Sequence, residues 1–132
     1  MEKAFVDTGP FFEYGACQDE ALFEKAKGLL TSPHYRWFSS SYVFDELMTL
    51  LVRRAPKSLA VAFGERLRST SLINWFHPSL EDEEAAWQIF RTHTDKLWSF
   101  TDCLSSHLIK KHKIKWVLSF DRDFSQMGFS IL

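Results

Sequence analysis

Lys3-Ala4-Phe5-Val6 runs straight into Asp7-Thr8-Gly9-Pro10 near the start of the chain, and Trp116-Val117-Leu118-Ser119-Phe120 runs into Asp121-Arg122-Asp123 near its end. Each is a short apolar run with strand composition, stopped by turn-forming residues. Two more strands lie between them: Tyr35-Arg36-Trp37-Phe38-Ser39 and Leu72-Ile73-Asn74-Trp75-Phe76. The segments that separate these strands have helical periodicity. Leu22, Ala26, Leu29 and Leu30 recur at helical spacing between Asp19 and Thr31, with Pro33 closing the segment. Ser40-Ser41 can cap a helix from about Tyr42 to Arg54, and Pro56 opens another through about Leu67. Ser79 to His93 carries Ala85, Ala86, Ile89 and Phe90 on one face, a further helix spans about Phe100 to His112, and Gly128 to Leu132 is a short last strand. Strands alternating with helices predict βαβ units with right-handed crossovers. The expected fold is α/β: a three-layer α/β/α sandwich around a central, mainly parallel five-stranded sheet. Open parallel sheets bind ligands outside the carboxyl ends of their strands, so residues just after strands are the ones to inspect.

At 132 residues the chain fits one domain, residues 1–132, with no linker or repeat to divide it. Hydrophobic residues at 45% and charged residues at 25% give an ordinary globular balance, and 13 Phe, 5 Trp and 3 Tyr promise a core rich in rings. Sixteen basic against 17 acidic side chains leave a net charge of −1, which excludes a general basic field for polyanions. Any polyanion site must be local. Cys17 and Cys103 have no metal spacing and read as reduced thiols. The N-terminus lacks the apolar stretch of a signal peptide, and Leu47 to Val52 is too short to span a bilayer, so a cytoplasmic location with no membrane association is expected. Phosphate-binding GxxxxGK[ST], GxGxxG and GxSxG motifs are absent, which removes the usual markers of nucleotide motors, dinucleotide enzymes and serine hydrolases.

The sheet direction brings Asp7, Asp121 and Asp123 to one edge. Clustered carboxylates repel and raise one another's pKa, so such a group implies shared protons or a cation. Asp102 fits two roles. Ser99-Phe100-Thr101-Asp102 matches a capping box, and the same position puts its carboxylate in the first turn of a helix that can start at this edge. In Val43-Phe44-Asp45-Glu46-Leu47-Met48, Asp45 and Glu46 both border the apolar stripe, and periodicity does not choose between them.

Phe5-Val6-Asp7-Thr8-Gly9-Pro10, Tyr42-Val43-Phe44-Asp45-Glu46-Leu47, Ser99-Phe100-Thr101-Asp102 and Leu118-Ser119-Phe120-Asp121-Arg122-Asp123-Phe124, in this order, resemble the PIN-domain nucleases, especially the VapC-type toxins. Many relatives carry Asn shortly after the first Asp; this chain has Gly9-Pro10, which leaves Asp7 itself unaffected. The resemblance implies a Mg²⁺- or Mn²⁺-dependent ribonuclease with the acidic quartet Asp7, Glu46, Asp102 and Asp121, and Asp123 as an accessory fifth ligand. It further implies Thr8, Thr101 and Ser119 as supporting hydroxyls, an antitoxin protein as partner and a homodimer. Two basic regions, Arg53-Arg54 with Lys57, Arg66 and Arg68, and Lys110-Lys111 with Lys113 and Lys115, are candidate phosphate contacts. Helix ends also favour Lys and Arg through the dipole, so Arg53, Arg54, Lys110 and Lys111 stand as either. The competing function is a catalytically inactive PIN-like module that binds RNA or protein. A phosphoacceptor receiver needs an acidic pair after strand one and a lysine after the last strand, and both are missing.

Overall fold

The computed structural model describes residues 1–132. Five strands, β1 (Glu2–Val6), β2 (Tyr35–Ser40), β3 (Ile73–Phe76), β4 (Trp116–Leu118) and β5 (Ser130–Ile131), form one sheet. Its order is β3-β2-β1-β4-β5 and every pairing is parallel. Seven helices complete the chain: α1 (Thr8–Ala16), α2 (Glu20–Leu30), α3 (Ser41–Arg54), α4 (Lys57–Ser69), α5 (Leu80–Thr92), α6 (Phe100–Lys111) and α7 (Asp123–Gln126). Right-handed crossovers send α1 to α4 to one face of the sheet. The return from β3 to β4 sends α5 and α6 to the other. The strand order reverses between β1 and β4, so a crevice opens there at the carboxyl edge.

The apolar runs fill both layers. Phe5, Val6, Val117 and Leu118 in the middle strands are fully buried, with Phe11, Leu47, Leu51 and Phe124 packed around them. A smaller cluster of Ala86, Trp98, Cys103, Leu104 and Leu108 joins α5 to α6. Each large apolar side chain buried this way stabilises the fold by roughly 1.5–3 kcal/mol. The caps are as expected: Ser40 Oγ accepts from Val43 N–H, while Ser79 with Asp82 and Ser99 with Asp102 close full capping boxes.

The structure corrects the sequence reading in a few places. Thr8-Gly9-Pro10 is not a turn but the first turn of α1, where the missing N–H of Pro10 has no intrahelical acceptor to lose. The four-residue α7 was not foreseen, β4 stops at Leu118 and Pro56 caps α4 from outside. The sheet is parallel throughout. No helix is long and apolar enough to cross a membrane.

Two glycines with opposite surroundings test the packing. A Cβ on Gly15 of α1 would lie 2.7 Å from the Phe63 ring, whereas one on Gly28 of α2 would meet nothing within 4 Å. Gly28→Ala is expected to raise stability by about 0.5–1 kcal/mol through helix propensity. Gly15→Ala is expected to lower it by about 1 kcal/mol or more, because overpacking outweighs that gain. Urea unfolding of both variants checks the pair of signs.

Candidate active site

Asp7 ends β1 and stands just before α1, and it makes no side-chain cap to that helix. Its carboxylate is therefore left to the crevice. Ser119, just after β4, donates its hydroxyl to Asp7 Oδ2 at 3.1 Å and accepts the Asp121 N–H at 3.3 Å, which ties the ends of β1 and β4 together. Asp7 Oδ1 is buried and has no hydrogen-bond partner. From the other face of the sheet, the start of α6 delivers Asp102. One of its oxygens accepts the Ser99 N–H at 3.2 Å in the capping box, and the other remains for the site. The capping box thus orients the same carboxylate that stands beside Asp7 and Asp121.

Carboxylate oxygens of Asp7, Asp102 and Asp121 all lie within 4.8 Å of one another. Asp7 and Asp102 are buried at 4% and 7% exposure, while Asp121 is open to solvent. Asp123 donates its N–H to Asp121 Oδ1 at 2.9 Å, and its carboxyl group is near enough to Asp102 to raise the Asp102 pKa. Glu46 reaches the same place from α3, where Thr8 Oγ1 donates to its Oε1 at 2.5 Å. Glu46 is close enough to add to the negative potential on Asp7. Asp45 is exposed, so the tertiary fold makes the choice that periodicity left open. Thr8 and Ser119 are tied into the acids by hydrogen bonds. Thr101 is half-buried one residue before Asp102 and takes no part in that network.

The basic residues lie elsewhere. Arg53 and Arg54 end α3, seven and eight residues beyond Glu46, or about 10–12 Å along the helix. Lys110 and Lys111 end α6, at the opposite end of that helix from Asp102. Lys110 sits over the Phe129 ring, and Lys111 donates to Asp82 Oδ1 at 2.8 Å. The structure does not bring these four to the acids. They occupy the helix C-termini where the dipole favours cations.

Such a cluster is costly without a counter-charge. Burial, reinforced by the nearby Asp121 and Glu46 carboxylates, pushes Asp7 up to about 7, against the opposing pull of the Thr8 N–H and Ser119 hydroxyl. Asp102 is raised as well, first by burial, then by its hydrogen bond with Asp123 and the charge of Asp7. Desolvation and the Asp123 charge also raise Asp121. Hard oxygen donors from three segments, one of them the residue with the unpartnered buried Asp7 Oδ1, suit a hard divalent cation.

A stability consequence follows from the raised values. The folded state holds protons on Asp7 and Asp102 more tightly than the unfolded chain does. Their contribution in the metal-free protein is therefore full below the ordinary carboxylate pKa of ~3.9 and lost as pH rises through about 7 for Asp7 and about 8 for Asp102. Asp82, held well below the usual range chiefly by Lys111, changes only in more acidic solution. Burial lowers the His112 imidazole pKa, which adds stability as pH rises over the neutral range, so the informative quantity is the metal-induced difference. Millimolar Mg²⁺ or Mn²⁺ is expected to raise the melting temperature by several degrees near pH ~8 and far less near pH ~5. Equal shifts at the two pH values, or none, would show that the acids do not hold the ion.

The PIN domain family profile matches residues 4–130. The 23S rRNA-specific endonuclease VapC20 of Mycobacterium tuberculosis is 34% identical over 125 residues, covering 95% of this chain and 94% of that protein. The crystal structure of VapC20, described as a sarcin-ricin loop cleaving toxin, superposes with a TM-score of 0.87 at 32% identity over 96% of this chain and 95% of that one. VapBC2 from Rickettsia felis shares the fold at a TM-score of 0.71 and 10% identity, covering 98% of this chain and 97% of that chain. FitAcB from Neisseria gonorrhoeae does so at 0.63 and 17%, covering 98% and 96%. The profile over nearly the whole sequence and the relative at 34% identity agree with the edge-of-sheet acids: this chain belongs to the PIN-domain family, among its VapC-type members.

Proposed function

We propose that this chain is a divalent-metal-dependent endoribonuclease that hydrolyses RNA phosphodiester bonds, with Mg²⁺ or Mn²⁺ as its ion and structured ribosomal RNA as its substrate class. The observation that carries the proposal is that carboxylate oxygens of Asp7, Asp102 and Asp121 lie within 4.8 Å of one another, with Asp7 Oδ1 buried and without a partner. The substrate class is drawn from VapC20, whose name specifies 23S rRNA.

Asp7, Asp102 and Asp121 hold the ion, and Asp123 supports Asp102 and Asp121 from behind. When bound, a divalent cation supplies Lewis acidity that neutralises phosphoryl charge and makes water more acidic. The remaining work falls to the chain. Thr8 fixes Glu46 through Oε1, which leaves Oε2 to orient the attacking water and accept its proton. Ser119 keeps the ends of β1 and β4 in register, so that the carboxylates do not spread under their own repulsion. The buried floor of Val6 and Leu118 lowers the local dielectric and strengthens these interactions. An inactive binding module has no use for two buried acids, Asp7 and Asp102, held beside Asp121 where their charge opposes folding.

By the same analogy the protein is the toxin of a cytoplasmic toxin-antitoxin pair, it is blocked by an antitoxin protein, and it works as a homodimer. Residues 1–132 form the nuclease unit.

The test is cleavage of an rRNA fragment containing the sarcin-ricin loop. Asp7→Asn and Asp102→Asn are each expected to lower the rate by at least about 10²–10³-fold, in the range of other preorganised electrostatic groups. Asp45→Asn, whose side chain points to solvent, is expected to leave the rate unchanged. EDTA abolishes activity on this account, and Mg²⁺ or Mn²⁺ restores it. Cleavage that persists in EDTA, or in Asp7→Asn, would refute the proposal.

A further inference from the structure

A cavity of about 240 Å³, outside the acidic site, is lined by Ser41, Phe44, Arg68, Trp75 and His77. The proposed chemistry uses none of these side chains. They come from the start of α3, the end of α4 and the end of β3.

The aromatic wall is preorganised. Trp75 Nε1 donates to the Leu67 carbonyl at 3.2 Å, and the indole stacks on Phe11 with centroids 5.8 Å apart and planes at 25°. Phe44 meets the same indole edge-on at 5.8 Å and 87°, so two rings form a corner. The Arg68 guanidinium lies 5.9 Å from the Phe44 centroid and forms no ion pair with any carboxylate. His77 and Arg68 are exposed, and the lining contains no acid. An aromatic corner with a free cation and a hydroxyl suits a planar ligand that carries negative charge.

The strand register places this corner relative to the acids. Ser40 pairs with Phe76 across β2 and β3, and Phe38 pairs with Phe5 across β2 and β1. Two residues beyond Phe5, Asp7 is level with Ser40 and hence with Phe76. Two steps of ~4.8 Å between strands put the end of β3 about 10 Å from the Asp7 backbone, on the same edge of the sheet. The chain as a whole is not basic, and Arg53, Arg54, Lys110 and Lys111 stand in the last turns of α3 and α6, at the opposite ends of those helices from the acids. Arg68 is a cation left free along this edge, where a polyanion strand leaving the acids would pass.

We infer that this cavity is a nucleotide subsite. A base of the RNA stacks in the Trp75–Phe44 corner while its phosphate meets Arg68, on the strand whose scissile bond lies at the acids. The subsite rests on the ribonuclease function proposed above and adds to it a place where a flanking, unstacked nucleotide is held, as single-stranded RNA is held on aromatic platforms elsewhere. Ser41 and His77 supply polar contacts at its rim.

The test uses the full chain and an oligoribonucleotide first shown to be cleaved by the wild type in Mn²⁺. Affinity is then measured in the non-cleaving Asp7→Asn background, alone and with Arg68→Gln or Phe44→Leu added. Arg68→Gln removes an exposed charge and leaves the fold intact, as a thermal melt will show. It is expected to weaken binding about 5- to 20-fold and to reduce the slope of log K against log salt by about one. Phe44→Leu is expected to weaken binding to a similar degree with the salt slope unchanged, which separates base stacking from phosphate contact. Titration with a nucleoside monophosphate is expected to move the NMR signal of the Trp75 indole N–H. Unchanged affinity and slope in Arg68→Gln would overturn the subsite while leaving the ribonuclease function standing. So would a change in self-association without a change in RNA affinity, which would assign the corner to a second copy. If the wild type neither cleaves nor binds any RNA, both proposals fall together.

Discussion

Carboxylates packed at the end of a parallel sheet repel one another, and most of what surrounds this site holds them in place against that repulsion. Asp7 and Asp102 are nearly sealed from water, where charge is most costly, and Asp7 Oδ1 has no protein donor. The upward pKa shifts of Asp7, Asp102 and Asp121 express the same tension. A divalent ion held there would convert that tension into binding energy and reverse the sign of the local potential on a chain of net charge −1.

Each acid is restrained by a different local device. Asp7 is fixed by the buried strand that precedes it and by Ser119 across the β1–β4 junction. Asp102 is fixed by the capping box that starts α6, so one carboxyl group both caps the helix start and lines the crevice. Glu46 depends on a tertiary contact, the Thr8 hydroxyl at the start of α1. Asp121 and Asp123 brace each other in the turn before α7. The topology explains why they meet: the strand order reverses between β1 and β4, and helices from both faces begin at that crevice.

The strands and long helices were legible because their apolar periods are strong, and Asp7, Asp102 and Asp121 followed from the direction of the sheet or from family resemblance. α1 was hidden by Gly9-Pro10, which favours turns in isolation but is tolerated in a first helical turn; Phe11 and Tyr14, three residues apart, were the available signal. α7 is too short to show a period. Glu46 could not be separated from Asp45 by the helical wheel, because both border the apolar stripe and only the distant Thr8 distinguishes them. The paired lysines and arginines were left open for a related reason. Runs of like charge are visible in sequence, but the setting that Phe44 and Trp75 give Arg68, itself in the last turn of α4, exists only in three dimensions.

A cation at the carboxyl edge of β1 and β4 is what these acids require, and anomalous diffraction from a crystal equilibrated with Mn²⁺ examines that most directly. The expected result is a strong peak in contact with Asp7 Oδ1 and with carboxylate oxygens of Asp102 and Asp121, lost in an Asp7→Asn crystal grown in the same way. A crevice without a peak at saturating Mn²⁺, or a peak bound only by acids away from Asp7, would contradict it.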